Sequence, residues 1–341
     1  MKRIGFACKW IDRPDQVEGI KPTDDAKQYN TGSTTVAWLD RQTKDVAEQK
    51  LWDLMVQNIE STRKLIERVG KLDVHLRMVR ISSDILPVYT HSTWGYFWLR
   101  PDVLAYAEKH FREVGNQARK CGVRLSFHPG QFTVLASDNP EIVRRSVEEF
   151  EYHADMIRWM GYGQTFQDFK CNVHIAGRAG YQGIIDVYPK LSVEARNTIT
   201  IENEEMKHGL DDCLNLVGTL PIVLDIHHHW IREGHYINLK DARVARILDS
   251  WRGVRPTLHY SVSREDVLTA HPTDIVPNHT ELLEQGYKKS KMRAHSDFYW
   301  NTACNDWALS FLDEFDIMCE AKGKNLASFA LYERAKKLEL V

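Results

Sequence analysis

Short apolar runs punctuate this chain, each followed by a polar or a longer amphipathic stretch. Eight of them read as strands: Arg3–Cys8, Val74–Ile81, Val123–Phe127, Cys171–Ile175, Thr198–Ile201, Ile222–Leu224, Thr257–Tyr260 and Asp316–Cys319. They are too short for helices and read as apolar throughout rather than alternating, which predicts a parallel sheet buried on both faces. Between them Val46–Val69, Pro101–Lys120 and Glu141–Trp159 carry apolar residues at helical spacing. Pro101 and Pro140 fall where a first helical turn needs no amide, and Asp138 or Asn139 can cap the latter helix. Eight strands alternating with helices favour a closed (β/α)8 barrel, a TIM barrel, over an open doubly wound sheet. The pattern predicts one such domain over residues 1–341, with long connections at about 12–44 and 261–315. The first is polar and poorly periodic, and the second needs structure of its own.

What closes the runs changes the picture. His128, His174, Glu202, the pair Asp225 and His228, His259 and Glu320 end six successive runs. A lone strand-end histidine is usually a hydrogen-bonded structural residue, and a lone carboxylate there is often a helix cap. Six in a row point to one place, because a barrel brings the C-terminal ends of its strands to one face. Glu202, Asp225 and Glu320 supply negative charge able to bridge two ions, while His128, His174, His228, His259 and His295 supply nitrogen donors. Imidazole and carboxylate without thiolate suit zinc or manganese. So many donors exceed the needs of one ion, which predicts a cluster of two or three divalent metal ions. Such clusters serve displacement at phosphorus. The expected grouping is His128, His174 and Glu202 on one ion, Glu202, Asp225, His259 and Glu320 on a second, and His228 with His295 on a third. His227 and His229 are read as outlying neighbours of His228. His75, His110, His153, His208, His235, His271 and His279 are read as structural.

Composition adds exclusions. The 43% hydrophobic content allows a sizeable core, and no run of about eighteen apolar residues predicts a membrane span. The six cysteines show no CxxC pair and read as reduced core thiols, and the polar start lacks a signal-peptide core. A cytoplasmic location is expected. The formal net charge of −2 does not advertise nucleic-acid binding. Local basic residues do more: Lys288, Lys289, Lys291 and Arg293 precede His295, Lys322 and Lys324 follow Glu320, and Arg178 follows His174. All fall near expected ligand ends, where phosphate contacts would be useful. The aromatic stretch Tyr89–Trp98 reads equally well as packing or as base stacking.

Nine segments occur in a fixed order: RIGFAC (Arg3–Cys8), RISSDILP (Arg80–Pro87), SFHPGQF (Ser126–Phe132), VHIAG (Val173–Gly177), TIENEE (Thr200–Glu205), LDIHHH (Leu224–His229), LHYS (Leu258–Ser261), RAHSD (Arg293–Asp297) and CEAKGK (Cys319–Lys324). In these the chain resembles the UV-damage endonuclease family, of the endonuclease IV and xylose-isomerase-like barrels, from about Lys2 to Ala335. The resemblance implies incision of damaged duplex DNA 5′ to a lesion, typically a UV photoproduct. It implies manganese as the first choice of ion, with zinc, magnesium or cobalt as alternatives. It places the eight donors above as metal ligands, with Glu202 and Glu320 central to catalysis and His91 as a further active-site histidine. Gln131 and Phe132 match the pair that wedges into the duplex opposite a flipped-out lesion, and Phe6 matches a second lesion-side aromatic position.

Three positions depart from the family pattern. Thr257 stands where the family carries a lysine that can be carboxylated near the metals, and Phe6 and Phe132 replace tyrosines. The alternatives are an abasic-site endonuclease of the endonuclease IV type and a lesion-binding protein that has lost incision. A sugar isomerase on the same barrel has no use for the HPGQF segment. No membrane and no obligate protein partner are implied, and a monomer is expected.

Overall fold

In the computed structural model, which describes residues 1–341, eight parallel strands close in sequence order into a barrel. They are β1 (Ile4–Ala7), β2 (Met78–Arg80), β3 (Arg124–Phe127), β4 (Lys170–His174), β5 (Ile199–Glu202), β6 (Ile222–Asp225), β7 (Thr257–Tyr260) and β8 (Asp316–Cys319). Each pairs with its sequence neighbours, and β8 returns to β1 through Ile4↔Ile317 and Phe6↔Cys319. This is the TIM barrel that the strand count predicts. No helix is long and apolar enough to cross a membrane.

The long outer helices begin where the prolines indicate. Pro101–Cys121 starts on Pro101, and Pro140–Trp159 starts on Pro140 with the Asn139 side chain accepting from Glu141 N. One expected strand is shorter than its run. Within Val74–Ile81, the Asp73 carboxylate accepts from His75 N and holds Val74–Leu76 in a 3-10 turn, so only Met78–Arg80 pairs. The long connections are not bare loops. The first holds short helices at Asp24–Lys27 and Val36–Leu39, and the second holds helices at His279–Glu284, Lys289–Met292 and Thr302–Leu309.

The expectation of strands apolar on both faces is corrected by the barrel interior. Strand side chains alternate between faces. The outward set, Leu125, Phe127, Cys171, Val173, Ile199, Ile201, Leu258 and Tyr260 among them, joins a cluster of 77 buried apolar residues beneath the helices. The inward set is largely polar. Arg124 on β3 crosses the lumen to Asp316 on β8 at 2.7 Å, and Lys170 on β4 crosses to His259 on β7 at 3.1 Å. Thr200 Oγ1 donates to Asn172 Oδ1 at 2.7 Å, and Asn172 in turn donates to Glu202. Below the C-terminal face the barrel is filled by a hydrogen-bonded polar network rather than by layers of aliphatic side chains. Gly5 makes room on the remaining side, since a Cβ there would lie 2.6 Å from Met78 O.

Candidate metal centre

The strand ends converge on Glu202. This residue closes β5, has no exposed surface, and lies among four imidazoles, with His228 Nδ1 3.5 Å from its Oε1. His128 Nε2 is 3.3 Å from Glu202 Oε2, His259 Nδ1 is 3.1 Å from it, and His174 Nε2 is 3.9 Å away. Glu320 Oε1 approaches His259 Nδ1 to 3.2 Å. Three sets of donors crowd within 4.8 Å of one another: His128, His174 and Glu202; His128, His259 and Glu320; and Glu202, Asp225, His259 and Glu320. Two of these coincide with the first and second groupings expected above. His228 and His295 form no such set, their ring centres lying 6.3 Å apart at the edge of the cluster.

Local structure fixes which atom each side chain presents. Asp225 uses Oδ1 to cap the Ile226–Glu233 helix, accepting from His228 N at 2.7 Å, and so turns Oδ2 inward. Asn203 grips the same strand end by accepting from Asp225 N and donating to Asp225 O. His228 Nδ1 lies 3.0 Å from Asn203 O and His295 Nδ1 lies 3.1 Å from Glu320 O, which leaves each Nε2 facing the cavity. A bridge pairing Ser263 with His295 holds the long second connection in place. His259 is reversed: Lys170 engages its Nε2, and Nδ1 faces the carboxylates. Tying one ring nitrogen to the protein sets the tautomer and orientation that a metal ligand requires.

The donor set fits a divalent cation on its own chemistry. Glu202 Oε1, Asp225 Oδ2 and His259 Nδ1 are buried without a hydrogen-bond partner, and all three belong to one donor set. Orphaned buried polar atoms are costly, and three aimed at one volume call for a shared positive charge. The protonation pattern agrees. Burial pushes the Asp225 carboxyl well up, with Glu202 and Glu320 adding to the effect against His228. Burial opposes charge on His228, but Asp225, Glu202, Glu205 and Glu320 overcome it and raise its pKa to about 9. Burial also raises Glu202, yet His259, His174 and His128 hold it well below the usual carboxylate range. Burial lowers His128 to about 4, which favours the neutral imidazole a metal needs. Without a metal, protons carry the charge that the carboxylates demand.

Above the centre opens a cavity of about 870 Å³, lined by His128, His174, His228, His295 and Glu320 together with Arg80, Arg293, Lys322 and Lys324. Gln131 also lines it, and the adjacent Phe132 projects into solvent with 85% of its surface exposed. Arg293 reaches the rim but pairs with Glu205 at 2.7 Å. Arg178 is exposed and pairs with Asp138 at 3.2 Å, and Lys291 sits exposed on the short Lys289–Met292 helix. Neither of the latter two lines the cavity. His91 lines a separate groove with Tyr96, Arg144 and Arg145. Phe6 requires a correction: it faces outward from β1, fully buried and edge-on to Trp10 at 5.9 Å, so it has no surface to offer a base. In the Tyr89–Trp98 stretch, Trp94, Phe97 and Trp98 are buried and Tyr89 stacks on Tyr152, so packing accounts for most of it.

Several supporting residues escaped the sequence reading. Lys170 is buried, and its desolvation lowers the ammonium to about 7 against the pull of Glu202 and Glu320. It lies across the lumen from β7, where Thr257 Oγ1 is buried without a partner. Arg80 pairs with Glu320, and His227 is bonded to Ser261 at 2.8 Å. One signal was available: Lys170, Asn172 and His174 sit at alternate positions, so all share the inner face of β4.

Comparison with known proteins adds the lineage. The family model of UV-endonuclease UvdE matches residues 3–341. The UV-damage endonuclease of Schizosaccharomyces pombe is 31% identical over 296 residues, covering 82% of this chain and 44% of that protein. A relative from Neurospora crassa, also a UV-damage endonuclease, is covered over 31% of its length, so the chain spans less than half of these fungal proteins. The UV DNA damage endonuclease of Bacillus cereus strain G9842 is 25% identical over 304 residues, covering 85% of this chain and 84% of that one. The crystal structure of SacUVDE shares the fold, with a TM-score of 0.71 at 21% identity over 100% of both chains.

Proposed function

This chain belongs to the UV-endonuclease UvdE family, and from that premise we propose that it is a metal-dependent DNA-repair endonuclease. Its reaction is hydrolysis of the phosphodiester 5′ to a lesion in duplex DNA, UV photoproducts first. The observation that carries this reading is the set of orphaned buried donors on Glu202, Asp225 and His259 beneath an open cavity. A sugar-binding site would not need the exposed Phe132 at its rim.

His128, His174 and Glu202 would hold one ion, and Glu202, Asp225, His259 and Glu320 a second, with His228 and His295 available to a third. Manganese is the first choice, with zinc, magnesium or cobalt as alternatives. Bound, such ions supply Lewis acidity at phosphorus and lower the pKa of water. The chain's own residues do the rest. Glu202 is shared between two donor sets and fixes their spacing, while Asn172 holds its carboxylate in place. Arg80 offers a guanidinium to the cavity beside Glu320. Gln131 and Phe132 would fill the gap left when damaged bases leave the stack, a step that costs less at a lesion than at a normal pair. His91 belongs to this reading as an active-site residue only if its groove takes part of the duplex. We further propose that the chain acts as one domain and as a monomer in the cytoplasm.

Purified protein with Mn²⁺ should nick UV-irradiated duplex in preference to undamaged duplex, read as strand breaks on a denaturing gel. Equal cutting of undamaged DNA would defeat the lesion specificity. Preferential cutting of abasic duplex would favour the second reading, an abasic-site endonuclease. Binding without incision under every metal condition would favour a lesion-binding protein, the reading that Thr257 motivates.

A further inference from the structure

Arg80, Arg293, Lys322 and Lys324 are the basic side chains that line the cavity over the metal centre. All but one already have an anion. Arg80 pairs with Glu320, Arg293 with Glu205 at 2.7 Å, and Lys322 with Asp297 at 2.9 Å. The Lys324 ammonium has no ion pair and no hydrogen-bond partner, although the residue is only partly exposed. Its charged neighbours are Arg80 and Glu320, so a second cation stands close by. Both cations line the cavity, and Glu320, the carboxylate paired with Arg80, is committed to the metal centre.

The backbone shows that this placement is enforced. Lys324 has φ +49°, in the left-handed region that side chains other than glycine's rarely enter. Contacts of the two preceding residues fix the approach to this turn. Lys322 N donates to Ser296 O at 3.0 Å and Gly323 N to Asp297 O at 2.7 Å, while a Cβ on Gly323 would lie 2.5 Å from the Phe298 ring. A glycine would occupy position 324 without strain, yet a lysine is held there facing the cavity.

We propose that Lys324, with Arg80 beside it, binds a non-scissile phosphate of the DNA strand and so sets the path of that strand across the metal centre. The ligand class is a phosphodiester, and the inference rests on the endonuclease reading above. Lys324 would act in binding and not in bond cleavage, because it lines the cavity but belongs to none of the donor sets of the metal centre. Arg293 and Lys322, held by Glu205 and Asp297, would contribute less, since a phosphate must compete with a carboxylate already in place.

The test is duplex binding without turnover, in Ca²⁺, followed by fluorescence anisotropy between about 50 and 200 mM salt. Losing one phosphate contact lowers the slope of log K against log salt by about 0.9. Lys324→Met should show that loss together with unchanged metal content, and Lys324→Arg should restore the slope. Lys324→Gly relieves the positive φ, so it should keep or raise the melting temperature while showing the same loss. A folded Lys324→Gly protein with the wild-type slope would overturn the proposal, as would a fall in bound metal that accounts for the weaker binding. Failure of the wild-type protein to bind duplex DNA would instead overturn the endonuclease reading itself.

Discussion

Glu202 is the residue on which the centre turns, because four imidazoles approach its carboxylate and two donor sets share it. Glu202→Gln keeps the shape and removes the charge. It should lower incision by at least roughly 100-fold, more than the loss of an outlying partner, with the fold intact by circular dichroism. Lys170 tests the layer beneath. Lys170→Met keeps the apolar stem and frees His259 Nε2, and should weaken metal binding by roughly 10–100-fold without loss of thermal stability. Unchanged metal affinity would make Lys170 a filler of the barrel and nothing more. His228 contributes to the pH dependence of the metal-free protein. Its folded pKa, near 9, lies above the ordinary histidine value of about 6.5. Its contribution is therefore complete below about pH 6.5 and is lost as pH rises through about 9. Shifts of this size correspond to up to about 3 kcal/mol. Metal-free wild type should lose stability over that window in denaturant titrations, and His228→Gln should lose less, the raised Asp225 carboxyl accounting for the rest. Histidines at strand ends were readable from the chain, but the reversal of His259 was not, since it depends on a lysine 89 positions away.

Among the elements, β4 explains most of what the sequence concealed. Its residues Lys170–His174 are buried or nearly so, and Cys171 and Val173 make the run look apolar. In fact Lys170, Asn172 and His174 form an inner polar face that supports β5 and β7. The run Val74–Ile81 misled in the opposite way: its apolar residues divide between a 3-10 turn and a three-residue strand because Asp73 caps the turn. Phe132 belongs to the Gly130–Thr133 turn that follows β3, where Thr133 N donates to Gly130 O at 2.9 Å. Phe132→Ala should weaken binding to UV-irradiated duplex by about 1–3 kcal/mol, the worth of one stacked base, and change binding to a single strand little. Equal binding by both proteins in a competition assay would remove Phe132 from the interface. Phe6 makes the contrasting case: the same residue type, placed on the outward face of β1, is locked against Trp10 and serves the core.

For the whole molecule, charge is the quantity to explain, since a chain of net charge −2 is proposed to bind a polyanion. The metal centre reconciles the two. Its three carboxylates are collected at one end of the barrel, where two or three divalent ions would reverse the local sign. Metal should also stabilise the fold by relieving those buried carboxylates. At a concentration about 100 times its Kd, an ion that binds only the folded state adds about 2.7 kcal/mol. Mn²⁺ should therefore raise the melting temperature and EDTA lower it, and Glu202→Gln should blunt the difference. The sequence by itself determined the barrel, because strand length, helical spacing and proline positions are local signals that add up along the chain. It also determined that donors gather at the strand ends, because a closed parallel barrel leaves them no other place to go. Tertiary structure alone decided which nitrogen each histidine presents, that Lys170 reaches His259 across the lumen, and which cations remain unpaired. Those are contacts between residues far apart in sequence, so their energies depend on distances that no local pattern encodes.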